Sequence, residues 1–356
     1  MKLIHTSDIH LASPLTTRLP STKVSERRAE LAATFARMIR EAELSGADAV
    51  IIAGDLFDSE KITAKQLDTA LSVIEGSADM SFFYLPGNHE RDVLMSKAGT
   101  IPKNLHIFDK DWTYFTVGNL TVAGRSETSS DMFDTLDLLP DDKNIVVLHG
   151  ELRDKSAEGG IVGLRDAAGK NIDYLALGHY HTYSRVQIDR RGAAVYCGAP
   201  EGRGFDETGT LGFVEIEVTD VTVTHRFIPF AKRALHIKEV DLTGLLKTSE
   251  VEAKIREQIA DIPKKDLTRV VLIGERELDL RCDTRFIEEK YKDSFYCFEI
   301  KDKSRLSTKP EDYEFDKSLR GEFIRLCLAD ETLGDAERET VIHCGLSALA
   351  GEAFDE

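Results

Sequence analysis

The sequence predicts a layered α/β domain followed by a smaller α/β unit and terminal helices. Short, apolar strands alternate with amphipathic helical stretches over roughly the first 150 residues, the pattern of a sheet buried on both faces. From about Ala193 this gives way to alternating β segments divided by Gly and Asp turns. Length sets the scale: at about 150 residues per domain, 356 residues make two domains, or one large domain with an appendage.

Each element has its own signal. Lys2–Ser7 reads as a buried strand that ends in a polar loop. Val24–Leu44 reads as a helix, because Leu31, Phe35, Met38, Ile39 and Ala42 recur at helical spacing, and Gly46 is its expected C-cap. Ala49–Ala53 is a strand, Ala64–Ile74 a helix and Phe82–Leu85 a strand. Ile145–Leu148 and Tyr174–Leu177 repeat the apolar strand pattern. Ala194–Cys197, Gly212–Val218 and Thr222–Ile228 are expected as edge strands closing the same domain. After Pro229 a smaller unit is expected, with strands Leu235–Leu242, Thr268–Ile273 and Phe295–Lys301 and a helix Ser249–Ala260. Phe315–Leu328 and Ala336–Ala350 read as two final helices. The expected domains are therefore 1–230, 231–310 and an acidic helical segment 311–356.

Composition excludes several classes. With 42% hydrophobic, 31% charged and 8% aromatic residues, the chain is an ordinary globular protein, not a disordered, collagen-like or disulfide-stapled one. Its longest apolar runs, such as Ala49–Ala53 and Ile145–Leu148, fall far short of the roughly 18 residues of a membrane span, so no membrane contact is expected. Five cysteines, without a CxxC pair, argue against a zinc ribbon or a disulfide framework. Together with an N-terminus lacking an apolar signal core, they point to a cytoplasmic location. The net charge of −17 is uneven: −10 over 1–230, +2 over 231–310 and −9 over 311–356. Such a chain does not grip nucleic acid by bulk electrostatics, although an enzyme whose cations are metal ions or local side chains stays open.

The chemistry lies in five polar motifs, each at the end of an apolar strand: Asp8-Ile9-His10, Gly54-Asp55-Leu56-Phe57-Asp58, Gly87-Asn88-His89-Glu90, His149-Gly150 and Gly178-His179-Tyr180-His181. Ligands of open α/β sheets bind beyond the carboxyl ends of the strands, so five strand ends deliver Asp, His and Asn to one crevice. Imidazole nitrogen with carboxylate and amide oxygen suits divalent ions such as Mn2+, Fe2+ or Zn2+. The absence of thiolates argues against a structural zinc. Taken singly the motifs are weaker. Asp-x-His is common, and Gly-Asp-x-x-Asp and Gly-Asn also make plain turns. Gly-His-x-His is more specific, since alternate strand residues point the same way. His5 and His106, outside the motifs, read as packing or loop residues, and His5→Ala is expected to be mild. The motifs together supply more ligands than one ion needs and enough for two, with Asp55, in the middle of the series, as the bridging carboxylate.

In this order the motifs resemble those of the calcineurin-like metallophosphoesterases: D-x-H, G-D-x-x-D, G-N-H-[DE], a His, then G-H-x-H, all intact over about residues 1–230. The resemblance implies a four-layer α/β/β/α sandwich with a smaller C-terminal α/β cap domain. It also implies that Asp8, His10, Asp55 and His181 hold one ion, that Asp55, Asn88, His149 and His179 hold the other, and that His89 approaches the scissile phosphate without binding metal. Within that superfamily the chain is similar to the SbcD-type DNA repair exonucleases, nuclease subunits related to the meiotic recombination nucleases. The residues that carry this are His5-Thr6-Ser7-Asp8-Ile9-His10-Leu11, Gly54-Asp55-Leu56-Phe57-Asp58 and the loop Tyr196-Cys197-Gly198-Ala199-Pro200-Glu201-Gly202-Arg203-Gly204-Phe205-Asp206-Glu207. Glu90 stands where many members have Asp.

The expected protein is an enzyme: a metal-dependent DNA exonuclease or endonuclease of double-strand break repair. Mn2+ is the expected ion, with Fe2+, Zn2+ and Mg2+ as alternatives. Two ions about 3.5–4 Å apart can clamp an in-line phosphodiester displacement and neutralise its developing charge. His89 would stabilise the phosphoryl oxygens or protonate the leaving sugar oxygen. Asp58 and Glu90 are candidates to orient ligand imidazoles, and Arg91, Arg125, Arg153 and Arg203 are candidate contacts to phosphate. The 231–310 unit, with 18 basic residues, fits a cap facing duplex ends. That cap and the Gly198–Glu207 loop favour a nuclease over a phosphodiesterase or phosphatase for nucleotides or phosphoproteins. A non-catalytic scaffold would have lost ligands that are all present. The resemblance further implies an SMC-like ATPase of the SbcC type as partner, near the acidic C-terminal helices, and leaves a homodimer open.

Overall fold

Strand β1 (Lys2–Thr6) is buried from Leu3 onward. In the computed structural model it lies beside the parallel strands β2 (Ala49–Ala53), β3 (Ser81–Leu85) and β4 (Leu105–Ile107). The structure describes residues 1–350 apart from 14, 16, 18, 20, 59–61, 87–89, 91–93, 95–97, 278, 279, 281 and 307–314. Helices α1 (Ser21–Leu44) and α2 (Ala64–Gly76) make the crossovers β1–β2 and β2–β3. Thr63 and Gln66 cap the start of α2 reciprocally, side chain to backbone.

The chain then builds a second sheet from β5 (Thr113–Val117), β6 (Leu120–Gly124), β7 (Lys143–His149), β10 (Tyr174–Gly178), β11 (Ser184–Gln187) and β12 (Ala193–Tyr196). Between β7 and β10 lie the short parallel pair β8 (Glu151–Arg153) and β9 (Ile161–Gly163) and the four-residue helix α3 (Leu164–Ala167). Finally β13 (Gly212–Val218) and β14 (Val223–Pro229) return to the first sheet. The orders are β14-β13-β1-β2-β3-β4 and β11-β12-β10-β7-β6-β5, six strands each.

Three cores stack through this unit. Ile4, Val50, Ile52, Phe82 and Tyr84 meet Phe35, Met38, Leu67 and Ile74 of α1 and α2 on the outside of the first sheet. Leu3, Ile51, Ala53, Ile145, Val147, Ala176 and Val214 fill the space between the sheets. Val146, Leu148, Leu175 and Leu177 pack under Met132, Phe133, Ala167 and Ile172 on the far side. This is the four-layer sandwich expected, except that its fourth layer is made of short turns and α3 rather than long helices.

The expectation of three closing edge strands needs correction. Only β14 lies at an edge; β13 sits between β14 and β1, and β12 between β11 and β10. The strand that covers β12, β11, is exposed at every residue and carries no hydrophobic alternation that would mark it in advance.

The chain divides into two compact units, Met1–Leu235 and His236–Glu356. The second contains the three-stranded sheet β15 (Leu235–Asp241), β16 (Leu267–Ile273) and β18 (Cys297–Asp302), and the pair β17 (Glu275–Arg276) and β19 (Arg305–Leu306). Helices α4 (Thr248–Ile259) and α5 (Thr284–Tyr291) supply Val251, Ile255 and Ile287 to its core. The two final helices are α6 (Leu319–Ala329) and α7 (Asp335–Ala350), which share the small core Ile324, Cys327, Ile342 and Leu346. Among the described residues no helix is long and apolar enough to cross a membrane.

Candidate metal centre

The ends of β1, β2, β7 and β10 converge. Asp8 N–H donates to the Gly54 carbonyl at 3.2 Å, His10 N–H to Asp55 at 2.9 Å and Leu11 N–H to Leu56 at 2.8 Å, so the first two motif loops run side by side. Asp8, His10, Asp55 and His179 all have positive φ, at 52°, 48°, 52° and 111°. Such backbone costs a non-glycine residue about 1–3 kcal/mol, and here it falls on the residues whose side chains must turn into the crevice. Two motif glycines are required by close approach. A Cβ on Gly54 (φ 89°) would lie 2.2 Å from His149 Nδ1, and one on Gly178 would lie 2.0 Å from the Ala53 carbonyl oxygen.

The side chains form two overlapping donor sets. Asp8, His10 and His181 offer ligand atoms within 4.8 Å of one another, and so do Asp8, Asp55 and His149. Asp55 Oδ2 lies between two imidazoles, 3.7 Å from His10 Nε2 and 3.4 Å from His149 Nε2. His181 Nε2 is 3.6 Å from Asp8 Oδ1. The His179 ring stands edge-on to that of His149, centroids 5.6 Å apart, and its backbone N–H donates to Asp8. Asn88, His89 and Arg91 lie outside the described residues.

Partners of the other ring nitrogens fix protons there. His149 Nδ1 is 2.9 Å from the Ala53 carbonyl; a carbonyl only accepts, so Nδ1 carries a proton. Burial opposes charge on this ring, but the hydrogen bond to Asp55 and the nearby Asp8 carboxylate outweigh it and raise its pKa to about 9, so Nε2 also carries a proton that a bound cation would displace. His181 Nδ1 is 2.7 Å from Glu207 Oε1; that hydrogen bond outweighs burial and raises the pKa of the ring. Burial would push the Glu207 carboxyl up, but His181 and Arg203 outweigh it and hold the pKa at about 2. Both nitrogens of His10 are buried without a hydrogen bond. Burial, then Arg203, depress its pKa, so it is a neutral imidazole with an unspent lone pair. Burial opposes ionisation of Asp55, yet the hydrogen bond from His149 and the nearby imidazoles lower its pKa. Imidazoles set against carboxylates, one of them with both nitrogens buried and unsatisfied, suit a divalent cation of intermediate hardness, whose binding would displace the protons on the ring nitrogens that face it.

The remaining candidates occupy varied positions. Asp58 Oδ1 lies 3.3 Å from His10 Nδ1. Glu90 instead takes the Phe57 N–H and the Tyr84 hydroxyl, each at 2.7 Å; it holds the loop that carries Asp55. Arg203 donates to Glu207 and, at 3.0 Å, to Asp58. Arg125 is buried, donates to the Glu127 carbonyl at 2.6 Å and stands over the Trp112 ring. Arg153 is exposed and pairs with Glu151 at 2.8 Å. An open depression of about 420 Å³ borders His179, His181 and Glu207. Residue-by-residue reading had no role for Ser7, whose hydroxyl donates to Asp8 and lies 3.0 Å from Cys197 Sγ, or for Glu207. The only advance signal for Glu207 was its place at the end of the 196–207 loop motif.

The calcineurin-like phosphoesterase family matches residues 1–205, a span that includes both donor sets. The DNA double-strand break repair protein Mre11 of Methanosarcina acetivorans is 25% identical over 287 residues, which cover 74% of this chain and 44% of that protein. Mre11 of Haloferax volcanii is 25% identical over 366 aligned positions, 98% of this chain and 75% of that one. The metallophosphoesterase YhaO of Bacillus subtilis is 25% identical over 277 residues, 70% of this chain and 67% of that one. The chain thus spans less than half the length of the first of these relatives.

Proposed function

Since the chain belongs to the calcineurin-like phosphoesterase family, enzymes that hydrolyse phosphoester bonds, we propose that it is a dinuclear metal-dependent DNA nuclease acting in double-strand break repair. The observation that carries this is the pair of donor sets that share Asp8 and flank Asp55. The relatives named as DNA double-strand break repair proteins support the choice of DNA.

In this reading Asp8, His10, Asp55 and His181 hold one ion, and Asp55, Asn88, His149 and His179 the other. The ions are Mn2+, with Fe2+, Zn2+ and Mg2+ as the alternatives that an all-nitrogen-and-oxygen donor set accepts. When bound, they supply Lewis acidity toward the phosphoryl oxygens and the attacking water. The chain does the rest. Glu207 and the Ala53 carbonyl fix the proton on Nδ1 of His181 and His149, so each Nε2 faces inward. Asp55 sits where one carboxylate reaches both halves of the site. His89 donates to a phosphoryl oxygen or to the departing sugar oxygen. Of the candidates Arg125, Arg153 and Arg203, only Arg153, at the end of β8, is exposed enough to meet the phosphate backbone. The net charge of −17 is then no obstacle, because the scissile phosphate meets local cations.

The 231–310 segment is proposed as a DNA-facing cap. The helices α6 and α7 of the acidic 311–356 segment are proposed as the contact for an SMC-like ATPase of the SbcC type. Leu319 and Leu326, seven residues apart on α6, are 71% and 63% exposed, so they fall on one face of the helix that a partner could cover.

Incubation of the pure protein with Mn2+ and labelled linear duplex, single-stranded DNA and a chromogenic phosphodiester tests the proposal. Cleavage of DNA that stops with chelator is expected. Turnover of a phosphomonoester without cutting any DNA would replace the nuclease reading by a phosphatase.

A further inference from the structure

We propose that Arg203 is a positioning residue for one ion of the pair, acting through two carboxylates at once. The inference rests on the dinuclear reading above and goes beyond it by making the two ion positions unequal. Arg203 Nε donates to Glu207 Oε1 at 2.9 Å, its backbone N–H to Glu207 Oε2 at 2.6 Å, and Nη1 to Asp58 Oδ1 at 3.0 Å and Ser13 Oγ at 3.2 Å. Each carboxylate faces a different imidazole: Glu207 Oε1 is hydrogen-bonded to His181 Nδ1 at 2.7 Å, and Asp58 Oδ1 lies 3.3 Å from His10 Nδ1, an electrostatic contact without a hydrogen bond. These are the two imidazoles assigned to the same ion. The guanidinium fork is rigid and planar, so one cation fixes both carboxylates, the one hydrogen-bonded to the His181 ring and the one set against the His10 ring.

Among the described residues no side-chain network of this kind stands behind His149. Its Nδ1 is held by the Ala53 carbonyl, a backbone group whose place is set by β2 itself. The His10/His181 position therefore has a side-chain network anchored by Arg203 in the 196–207 loop behind it, whereas His149 is held by the sheet. Groups that orient metal-binding imidazoles are typically worth about 10–100-fold in metal affinity. Losing Arg203 should cost that at the His10/His181 position and leave the other position intact. Glu207 is buried, with its side chain 1% exposed, and Arg203 is itself 14% exposed, so this guanidinium is committed to protein carboxylates rather than open to a phosphate.

The test is Mn2+ binding to the full chain, by calorimetric titration and by the paramagnetic resonance signal of a coupled ion pair, with thermal melting alongside. The wild type should bind two ions and show the coupled signal. Arg203→Ala should bind one ion as the wild type does and the second about 10–100-fold more weakly, with the coupled signal gone at low Mn2+. Arg203→Lys, a point charge without the fork, should not restore it. Should Arg203→Ala fail to fold, Asp58→Asn carries the test, because Asp58 lies at the more exposed end of the network, and the same selective loss is expected. Two ions bound at wild-type affinity in the folded variants would overturn the proposal. Fewer than two ions in the wild type would overturn the dinuclear reading instead, so the two failures are told apart.

Discussion

The backbone N–H of His179 donates to both carboxylate oxygens of Asp8, each at 3.1 Å. This contact ties the end of β10 in one sheet to the end of β1 in the other, and it places Asp8 where both donor sets can use it. The approach is possible only because Gly178 precedes His179: a Cβ there would meet the Ala53 oxygen at 2.0 Å, His149 Nδ1 at 2.7 Å and Ser7 Cβ at 2.8 Å.

Gly178→Ala should therefore push the two strand ends apart. Overpacking of this kind costs about 1–3 kcal/mol, and the loss should be concentrated at the site. Metal uptake by the purified variant, beside its denaturation midpoint, checks this: the account expects Mn2+ binding to fall far more than stability does.

His5→Ala should behave in the opposite way: the mild effect expected of it holds for metal and activity, while burial adds a cost in stability. His5 is fully buried and its Nδ1 lies 2.8 Å from the Tyr174 hydroxyl, with the rings edge to face. Its removal opens a cavity between the sheets and strips Tyr174 of a partner, a cost of about 2–4 kcal/mol. Denaturant unfolding should show that loss, while the folded fraction keeps its metal stoichiometry.

Acid should weaken the first unit in two stages. Burial, reinforced by His225, lowers the His5 pKa from 6.5 to about 3. Between these values the unfolded chain holds a proton that the folded chain lacks, so stability falls as pH drops from 6.5 toward 3. Glu30 titrates next: burial opposes its charge, but Arg233, Lys232 and Arg27 outweigh that and take it from 4.5 to about 2. Its contribution is complete above pH 4.5 and is lost as pH falls toward 2. Denaturation midpoints in the presence of chelator should decline below pH 6.5 and more steeply below 4.5. His5→Phe should flatten the first decline.

His89→Gln should separate binding from chemistry. If His89 acts on the phosphate and Asn88 on the ion, the variant keeps both ions and its DNA affinity but loses about 10²–10⁴ in rate. Loss of an ion on titration would put His89 among the ligands; an unchanged rate would remove it from catalysis.

What was legible in advance depended on how local the signal was. Ala49–Ala53 and Gly212–Val218 were read to the residue, because a strand buried between layers has to be apolar throughout or in alternation. Thr113–Val117 and Ser184–Gln187 were not, since mostly exposed strands carry no such constraint. Helix α5, with Ile287 its only fully buried residue, was missed for the same reason. The ligand motifs were readable because each is a strand end followed by a polar turn. The network behind them was not. Arg203 and Asp58 are 145 residues apart, and an arginine in a nuclease-like loop reads as a phosphate contact until the fold shows which carboxylates it meets. The left-handed backbone at Asp8, His10 and Asp55 had no counterpart in residue type, since glycine, the usual choice at such positions, could not supply a ligand.

The central claim is two ions with Asp55 between them, and anomalous scattering at the manganese edge from crystals grown with Mn2+ tests it most directly. The account predicts two peaks, one on the His10/His181 side and one on the His149 side, with Asp55 in contact with both. Asp55→Ala crystals treated the same way should show the pair lost. A single peak, or two peaks without Asp55 between them, would contradict it.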